Sequence, residues 1–323
     1  MLAAMFIISR FAEIEDVAQT LRDGDWHYLS FALIFELLWV FNLGASFKAI
    51  FRVLGVQEEW KRLVLLATAA NFVNAVAPSA GIGGIAVFIS EARSRKYSTG
   101  KATVATTLFL LFDYTAFLVI LTLGFVVLLR RDQLTPAEIT ASVILVLIAL
   151  GLAALLILGF YSEKQLGSVL AWIARLINRI VRPIRSKKHK EYLSEQRAFE
   201  FSQEVADGVR EIRHKPRDLF FPVLLALNSK ILMILVLYCV FVASKVPISI
   251  GTLIAGFSVS FLFSIVSPTP SGIGIVEGIL PLALNSFYIP LGTAAIITLM
   301  FRGFTFWLPL LFGMVAFRWV GKS

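Results

Sequence analysis

From Ile139 to Tyr161 the chain runs for 23 residues without a charged side chain. A helix of that length rises about 35 Å at about 1.5 Å per residue, enough to cross a hydrocarbon core about 30 Å thick. Comparable runs occupy residues 28–50, 102–129, 219–243 and 293–319. Lipid offers no water to backbone amides and carbonyls, so a spanning segment must be a helix or a strand of a closed barrel. The runs are continuous rather than alternating, which excludes the barrel. The expected class is therefore all-α, a polytopic helical membrane protein. Composition agrees, with 58% hydrophobic and 16% charged residues against about 25% charged in soluble domains.

Two further apolar stretches do not run through. The first, Leu63 to Ser90, is interrupted by P-S-A-G-I-G-G at Pro78 to Gly84, with Asn71 and Asn74 just before it. The second, Gly251 to about Phe287, is interrupted by S-P-T-P-S-G-I-G-I-V-E, which places Pro268, Pro270, Gly272, Gly274 and Glu277 within one short stretch. Proline lacks the amide donor and glycine loosens the backbone, so neither stretch continues as one helix. Broken backbone at membrane depth is tolerated where protein or a watery cavity surrounds it. Each arm is roughly half a span or a little more, which predicts two re-entrant hairpins. Two interrupted segments in matching positions of two halves point to a transporter-type binding site.

Charge sets the orientation. Residues 162–218 carry thirteen Lys/Arg and eight Asp/Glu and are expected in the cytoplasm. Within them Leu166, Leu170, Ile173, Ile177 and Ile180 share one helical face, and Arg175, Arg179 and Arg182 lie on another. This predicts a helix lying on an anionic membrane surface rather than a nucleic-acid face. A second amphipathic stretch, Glu191 to Lys215, keeps Phe201, Val205 and Ile212 near one side. Counting outward from 162–218, the C-terminus and the basic 91–101 connector fall inside, and the acidic 11–26 stretch falls outside. Arg130 and Arg131 on the outer side run against the rule. Residues 1–12 read as half of a first helix or as a truncated one, and not as a signal peptide. The domain reading is one membrane domain, 1–323. It comprises a first repeat at about 28–129, a linking span at 139–161, the cytoplasmic 162–218 region and a second repeat at about 219–319. The single linking span makes the two repeats inverted in topology.

These motifs resemble the lysylphosphatidylglycerol synthase transmembrane region family, the flippase-like or YbhN-like membrane proteins. Its P-x-G-x-G-x-x-E pattern followed by an arginine reads here as Pro270, Gly272, Gly274, Glu277 and Arg302; its N-x-x-x-P…G-G stretch and later aspartate read as Asn74, Pro78, Gly83, Gly84 and Asp113. Two departures stand out. Ile85 and Ala86 follow Gly84 where the family often has an acid and soon an arginine, and the apolar run Leu108 to Phe112 replaces an arginine before the aspartate. The resemblance implies an integral membrane protein handling lipids or lipid-linked groups. Some members carry a domain that transfers an amino acid to phosphatidylglycerol. With Ser323 four residues beyond the last span, no such domain is expected here.

Several residues carry both a functional and a structural reading. Half-helices starting at Gly83 and Gly272 would aim free amides and positive dipole ends at the bilayer middle, a phosphate-binding arrangement; the same glycines also permit tight helix packing. Glu277 in the first turn after its break needs a partner, for which Arg302 stands ready. The pair gates a site, carries a proton, or pins the hairpin. Asp113 has Lys230 or Lys48 to choose from, with Lys48 near a span end and better placed to snorkel. Asn71 and Asn74 either cap the broken backbone or bind headgroup oxygens, and Glu36 is a weaker candidate of the same kind.

Enzyme and metal motifs are absent from the sequence. His27, His189 and His214 show no metal spacing, no ATP-binding loop or nucleophile elbow occurs, and the single Cys239 forms no intrachain disulfide. No cofactor, metal or nucleic acid is expected. The leading expectation is a translocator of a lipid or lipid-linked headgroup in the cell membrane, with a phosphate-bearing headgroup as ligand. The alternatives are the membrane subunit of a transferase whose catalytic domain is a separate protein, and a structural or regulatory membrane protein.

Overall fold

The computed structural model of the protein describes residues 25–77, 83–131, 134–161, 195–214 and 216–321, with Ser168 and Trp172 as isolated positions. Residues 1–24, Pro78 and the amphipathic face of Arg175, Arg179 and Arg182 lie outside the described residues.

The described chain is all helical. It comprises α1 (Trp26–Val53), α2 (Trp60–Val76), α3 (Gly83–Ser94), α4 (Thr99–Arg130), α5 (Pro136–Tyr161), α6 (Glu195–His214), α7 (Phe220–Ala243), α8 (Ile250–Val266), α9 (Ile275–Ser286), α10 (Leu291–Arg302) and α11 (Leu308–Val320). A 3₁₀ turn, Pro216–Leu219, leads into α7, and a π turn, Gly303–Trp307, joins α10 to α11 without a break. Among the described residues five helices are long and apolar enough to cross a membrane: α1, α4, α5, α7 with its leading turn, and α10–α11 taken as one. Their outer faces carry large exposed apolar side chains, such as Phe31, Leu38, Val143, Leu147, Leu311 and Val315. On a soluble protein that surface would drive association; here it faces lipid.

Both broken stretches fold as antiparallel helical pairs. In hairpin 1 (α2 and α3), Arg62 near the start of α2 meets Glu91 near the end of α3, and Asn74 meets Gly84 across the break. In hairpin 2 (α8 and α9), Gly256 of α8 faces Leu280 and Leu284 of α9, and the Ser264 hydroxyl reaches the Ser271 carbonyl. The second arm of hairpin 2 begins at Ile275, three residues later than the Gly272 start expected from sequence. Ser271, Gly272 and Gly274 take φ of 46°, 73° and 82°. That left-handed backbone cannot continue a right-handed helix, so the break is longer than its proline content alone would indicate.

The packing of the two halves maps onto itself when they are exchanged. Helix α1 packs on α7, the midline pair. The first arm of hairpin 1 lies against α11, and the first arm of hairpin 2 against α4. Within each half, span packs on hairpin and hairpin on following span: α1–α2, α2–α3 and α3–α4 match α7–α8, α8–α9 and α9–α10. Close approaches repeat as well. A Cβ added at Gly124 of α4 would overlap the Ser258 side chain of α8, and one added at Gly313 of α11 would overlap Phe72 and the Thr68 carbonyl of α2. The midline helices are antiparallel: Asp25 N donates to Ala243 O at one end, and Asn42 Nδ2 donates to Leu225 O nearer the other.

Two elements lie outside this pattern. Helix α5 follows α4 and packs on it, and α6 docks on both. Val205, Ala206 and Val209 of α6 are buried, while Glu204 Oε2 accepts from Thr99 Oγ1 at 2.6 Å and from Gly100 N at 2.9 Å. A carboxylate at a helix N-terminus satisfies donors that have no partner in the helix and complements the dipole. The apolar face of α6 is therefore spent on its own protein.

Candidate functional site

The tips of the two hairpins, the middle of α4, the midline helices and the α10–α11 junction surround one cavity of about 200 Å³. That is many times the space one water occupies. Four charged groups organise this region as two ion pairs, each a buried cation on a part-buried carboxylate, and intramembrane charges need such partners.

Lys230 of α7 is 1% exposed. Its Nζ lies 2.6 Å from Asp113 Oδ1 of α4 and 3.9 Å from the centroid of the Phe261 ring of α8. This decides between the two expected partners of Asp113: Lys48 is exposed on α1, and Lys230 takes the aspartate. Arg302 at the end of α10 is 4% exposed. Its Nε donates to Glu277 Oε1 at 2.8 Å, its Nη2 donates to the Ser271 carbonyl at 3.0 Å, and its guanidinium sits 4.4 Å from the Phe306 ring centroid. Each buried cation is thus held by one carboxylate and one aromatic face, whose quadrupole attracts it electrostatically. Charge-assisted bonds of this kind are roughly twice as strong as neutral ones.

Glu277 has a second task. Its Oε2 accepts from Gly274 N at 2.7 Å, so the glutamate side chain reaches back to cover the N-terminus of α9. Hairpin 1 closes its break differently: Asn74 Oδ1 accepts from Gly84 N at 2.6 Å. Sequence reasoning left Asn74 between a capping and a headgroup role, and the backbone contact is the one formed. It also anticipated free amides at both half-helix starts, but the Gly84 and Gly274 amides are engaged by the chain's own side chains. The cationic groups at the cavity are therefore Lys230 and Arg302, each paired with a carboxylate, and these two N–H groups are already taken.

Of the residues singled out from sequence, Asn71, Asn74, Gly84, Asp113, Lys230 and Arg302 line the cavity. Gly83 starts α3 beside it. Glu277, Pro270, Gly272 and Gly274 shape the tip that holds Arg302, and Pro268 lines a separate apolar groove between α5 and hairpin 2. The sequence reading missed the rings of Phe261 and Phe306, the Ser271 carbonyl and Trp39, which also lines the cavity. An aromatic in an apolar run looks the same whether it meets lipid, core or a cation. The π turn after Arg302 was equally hidden. Such turns are rare and cluster at functional sites, and this one sets the Phe306 ring against the guanidinium.

A helical membrane protein with five candidate spans, two broken helical pairs and a charged cavity between them is the class defined by these features. Within that class the chain belongs to the lysylphosphatidylglycerol synthase TM region family, whose model matches residues 1–313. It is similar to a UPF0104 membrane protein of Methanocaldococcus jannaschii, 23% identical over 319 residues, which cover 97% of this chain and 91% of the relative. It is also similar to a UPF0104 membrane protein of Methanothermobacter thermautotrophicus, 26% identical over 336 residues, covering 100% of this chain and 93% of the relative.

Proposed function

We propose that this protein translocates a lipid, or a lipid-linked group, by passing its phosphate-bearing headgroup through the cavity between the two hairpins. The observation that carries the reading is the pair of buried cations, Lys230 and Arg302, brought to one cavity from different helices of the second half. The two cations complement a phosphate, and their carboxylate partners keep the empty site neutral. Asn71 and the Thr269 and Ser271 positions add polar lining. The exchange-symmetric packing and the antiparallel midline helices support an inverted-topology repeat with re-entrant hairpins, the architecture in which alternating access proceeds by rocking one half against the other. By charge bias the C-terminus and 162–218 face the cytoplasm, and Arg175, Arg179 and Arg182 rest on the anionic leaflet of the cell membrane. The sequence holds no ATP-binding loop, so movement is downhill or coupled to an ion.

The test is a leaflet-exchange assay in vesicles carrying fluorescent phospholipids. The protein is expected to accelerate exchange of an anionic phospholipid, and Arg302→Ala and Glu277→Gln to reduce it, with folding checked by size-exclusion chromatography. Folded variants that translocate as the parent does would show the site to be wrong.

The family's name favours a second reading, a membrane subunit acting beside a separate lipid-modifying enzyme. A partner enzyme that co-purifies through residues 162–218, together with no acceleration of exchange, would select it. Neither reading makes the chain an enzyme by itself.

A further inference from the structure

Glu36 stands apart from both ion pairs. It lies in the first half of α1, is 0% exposed, and neither of its carboxylate oxygens has a hydrogen-bond partner. It belongs to the stripe that faces α7, between the buried Ala32 and Trp39. The register of the midline pair, with Trp39 Nε1 on Ser229 Oγ at 2.9 Å and Asp25 N on Ala243 O, sets it level with the buried Leu232 and Met233. Trp39, one turn away, is part of the cavity wall.

The charged groups on the elements packed against α1 are engaged or distant. Lys230 of α7 and Asp113 of α4 hold each other, Arg302 at the π turn holds Glu277, and Arg62 on α2 holds Glu91. Lys61, Lys101, Arg130, Arg217 and Asp218 sit at helix ends or in the turn before α7. Among the described residues no hydrogen bond or salt bridge reaches either carboxylate oxygen of Glu36. An ionised carboxylate without donors in such surroundings is costly by many kcal/mol, and the group exists there as the neutral acid. A metal cation needs several oxygen ligands, and among the described residues no cluster of acids or histidines accompanies Glu36. A lone carboxyl group binds one cation well, the proton.

We infer that Glu36 is a proton-binding site seated in the contact between the two halves, and that its loading and unloading couples headgroup movement to a proton gradient. The coupling rests on the translocator reading; the proton site does not. In the resting packing the acid is neutral and the midline closed. When the halves rock and water reaches the α1–α7 seam through the cavity side, the hydrated carboxylate releases its proton, and the seam closes again only once a proton has returned. One proton is taken from one face and given to the other in each cycle, with no other bond made or broken.

Two measurements test this on the full chain. In the first, the purified protein is treated with a hydrophobic carbodiimide, which adds to protonated carboxyl groups, and the adduct is located by mass spectrometry. Modification at Glu36 that declines at alkaline pH and vanishes in Glu36→Gln is expected; no adduct at Glu36 at any pH would overturn the site. In the second, exchange of an anionic phospholipid is followed in vesicles with and without an imposed pH gradient. The parent is expected to respond to the gradient, and Glu36→Gln to exchange at one rate whether or not the gradient is present. A parent indifferent to the gradient, or a variant that keeps the parent's response, overturns the coupling. A parent that takes up the carbodiimide at Glu36 but moves no lipid retains the proton site and overturns the translocator reading instead.

Discussion

Hairpins 1 and 2 occupy matching places in the two halves, yet they are held shut by different chemistry at different ends. Hairpin 1 concentrates its charge at the open end. Arg62 donates to Glu91 through Nε and Nη2, both at 2.7 Å, with Arg95 joining at 3.1 Å, and near its tip the neutral Asn74 side chain accepts from the Gly84 amide. Hairpin 2 concentrates its charge at the tip, where Glu277 bridges the Gly274 amide and Arg302. The residues that follow Gly84 in hairpin 1 are the apolar Ile85, Ala86 and Val87, so the start of α3 offers no carboxylate for the same clasp. Asp113 of α4 instead draws Lys230 from the other half. The lesson is that two helical pairs with similar packing neighbours need not share their electrostatics. One ion pair staples a hairpin to its own half, and the other ties the halves together.

This comparison can be broken experimentally, and the largest effect belongs to the charged tip. Glu277→Leu strips the buried Arg302 of its carboxylate and the Gly274 amide of its cap. Removing one partner of a buried pair costs about 3–5 kcal/mol. Thermal unfolding in detergent should show that loss, and Glu277→Leu combined with Arg302→Met should recover much of it. If the single variant unfolds with the parent, the tip is not held by this pair. Next comes the open end of hairpin 1. Glu91→Gln weakens charge-assisted bonds from Arg62 and is expected to cost about 1.5–3 kcal/mol, read as a lower midpoint in the same melt. Unchanged stability together with a changed rate in the leaflet-exchange assay proposed above would mean that this end is functional rather than structural. The smallest effect is at the neutral tip. Asn74→Ala removes one capping acceptor, worth about 0.5–2 kcal/mol. Amide hydrogen exchange should report it as faster exchange confined to the start of α3; a global change would mean that hairpin 1 is as tightly clasped as hairpin 2.

Much of this architecture was readable along the chain. The expected spans at 28–50, 102–129, 139–161, 219–243 and 293–319 lie within helices or continuous helical runs bounded by Trp26–Val53, Thr99–Arg130, Pro136–Tyr161, Pro216–Ala243 and Leu291–Val320. The described helices end at Val76 and resume at Gly83 around the first proline-glycine stretch, and the second break takes left-handed backbone at Ser271, Gly272 and Gly274, a local property that glycine favours. The Glu277–Arg302 pair was equally foreseeable, since an isolated charge in an apolar segment must find its opposite and few were on offer.

Other features depended on which helix meets which. Asp113 had two lysines within reach of the argument, and only the packing of α4 against α7 selected Lys230. Phe261 and Phe306 became cation partners, and Glu36 was left without one, through the same side-by-side arrangement. The apolar stripe of α6 reads as a membrane-facing or protein-facing surface with equal ease, and its docking on α4 and α5 chose the protein. Local chemistry, the hydrophobic run, the proline, the unpaired charge, acts within a few residues and is written in the sequence. Partner choice between distant helices is set by register and approach in three dimensions, and that only the tertiary structure decided.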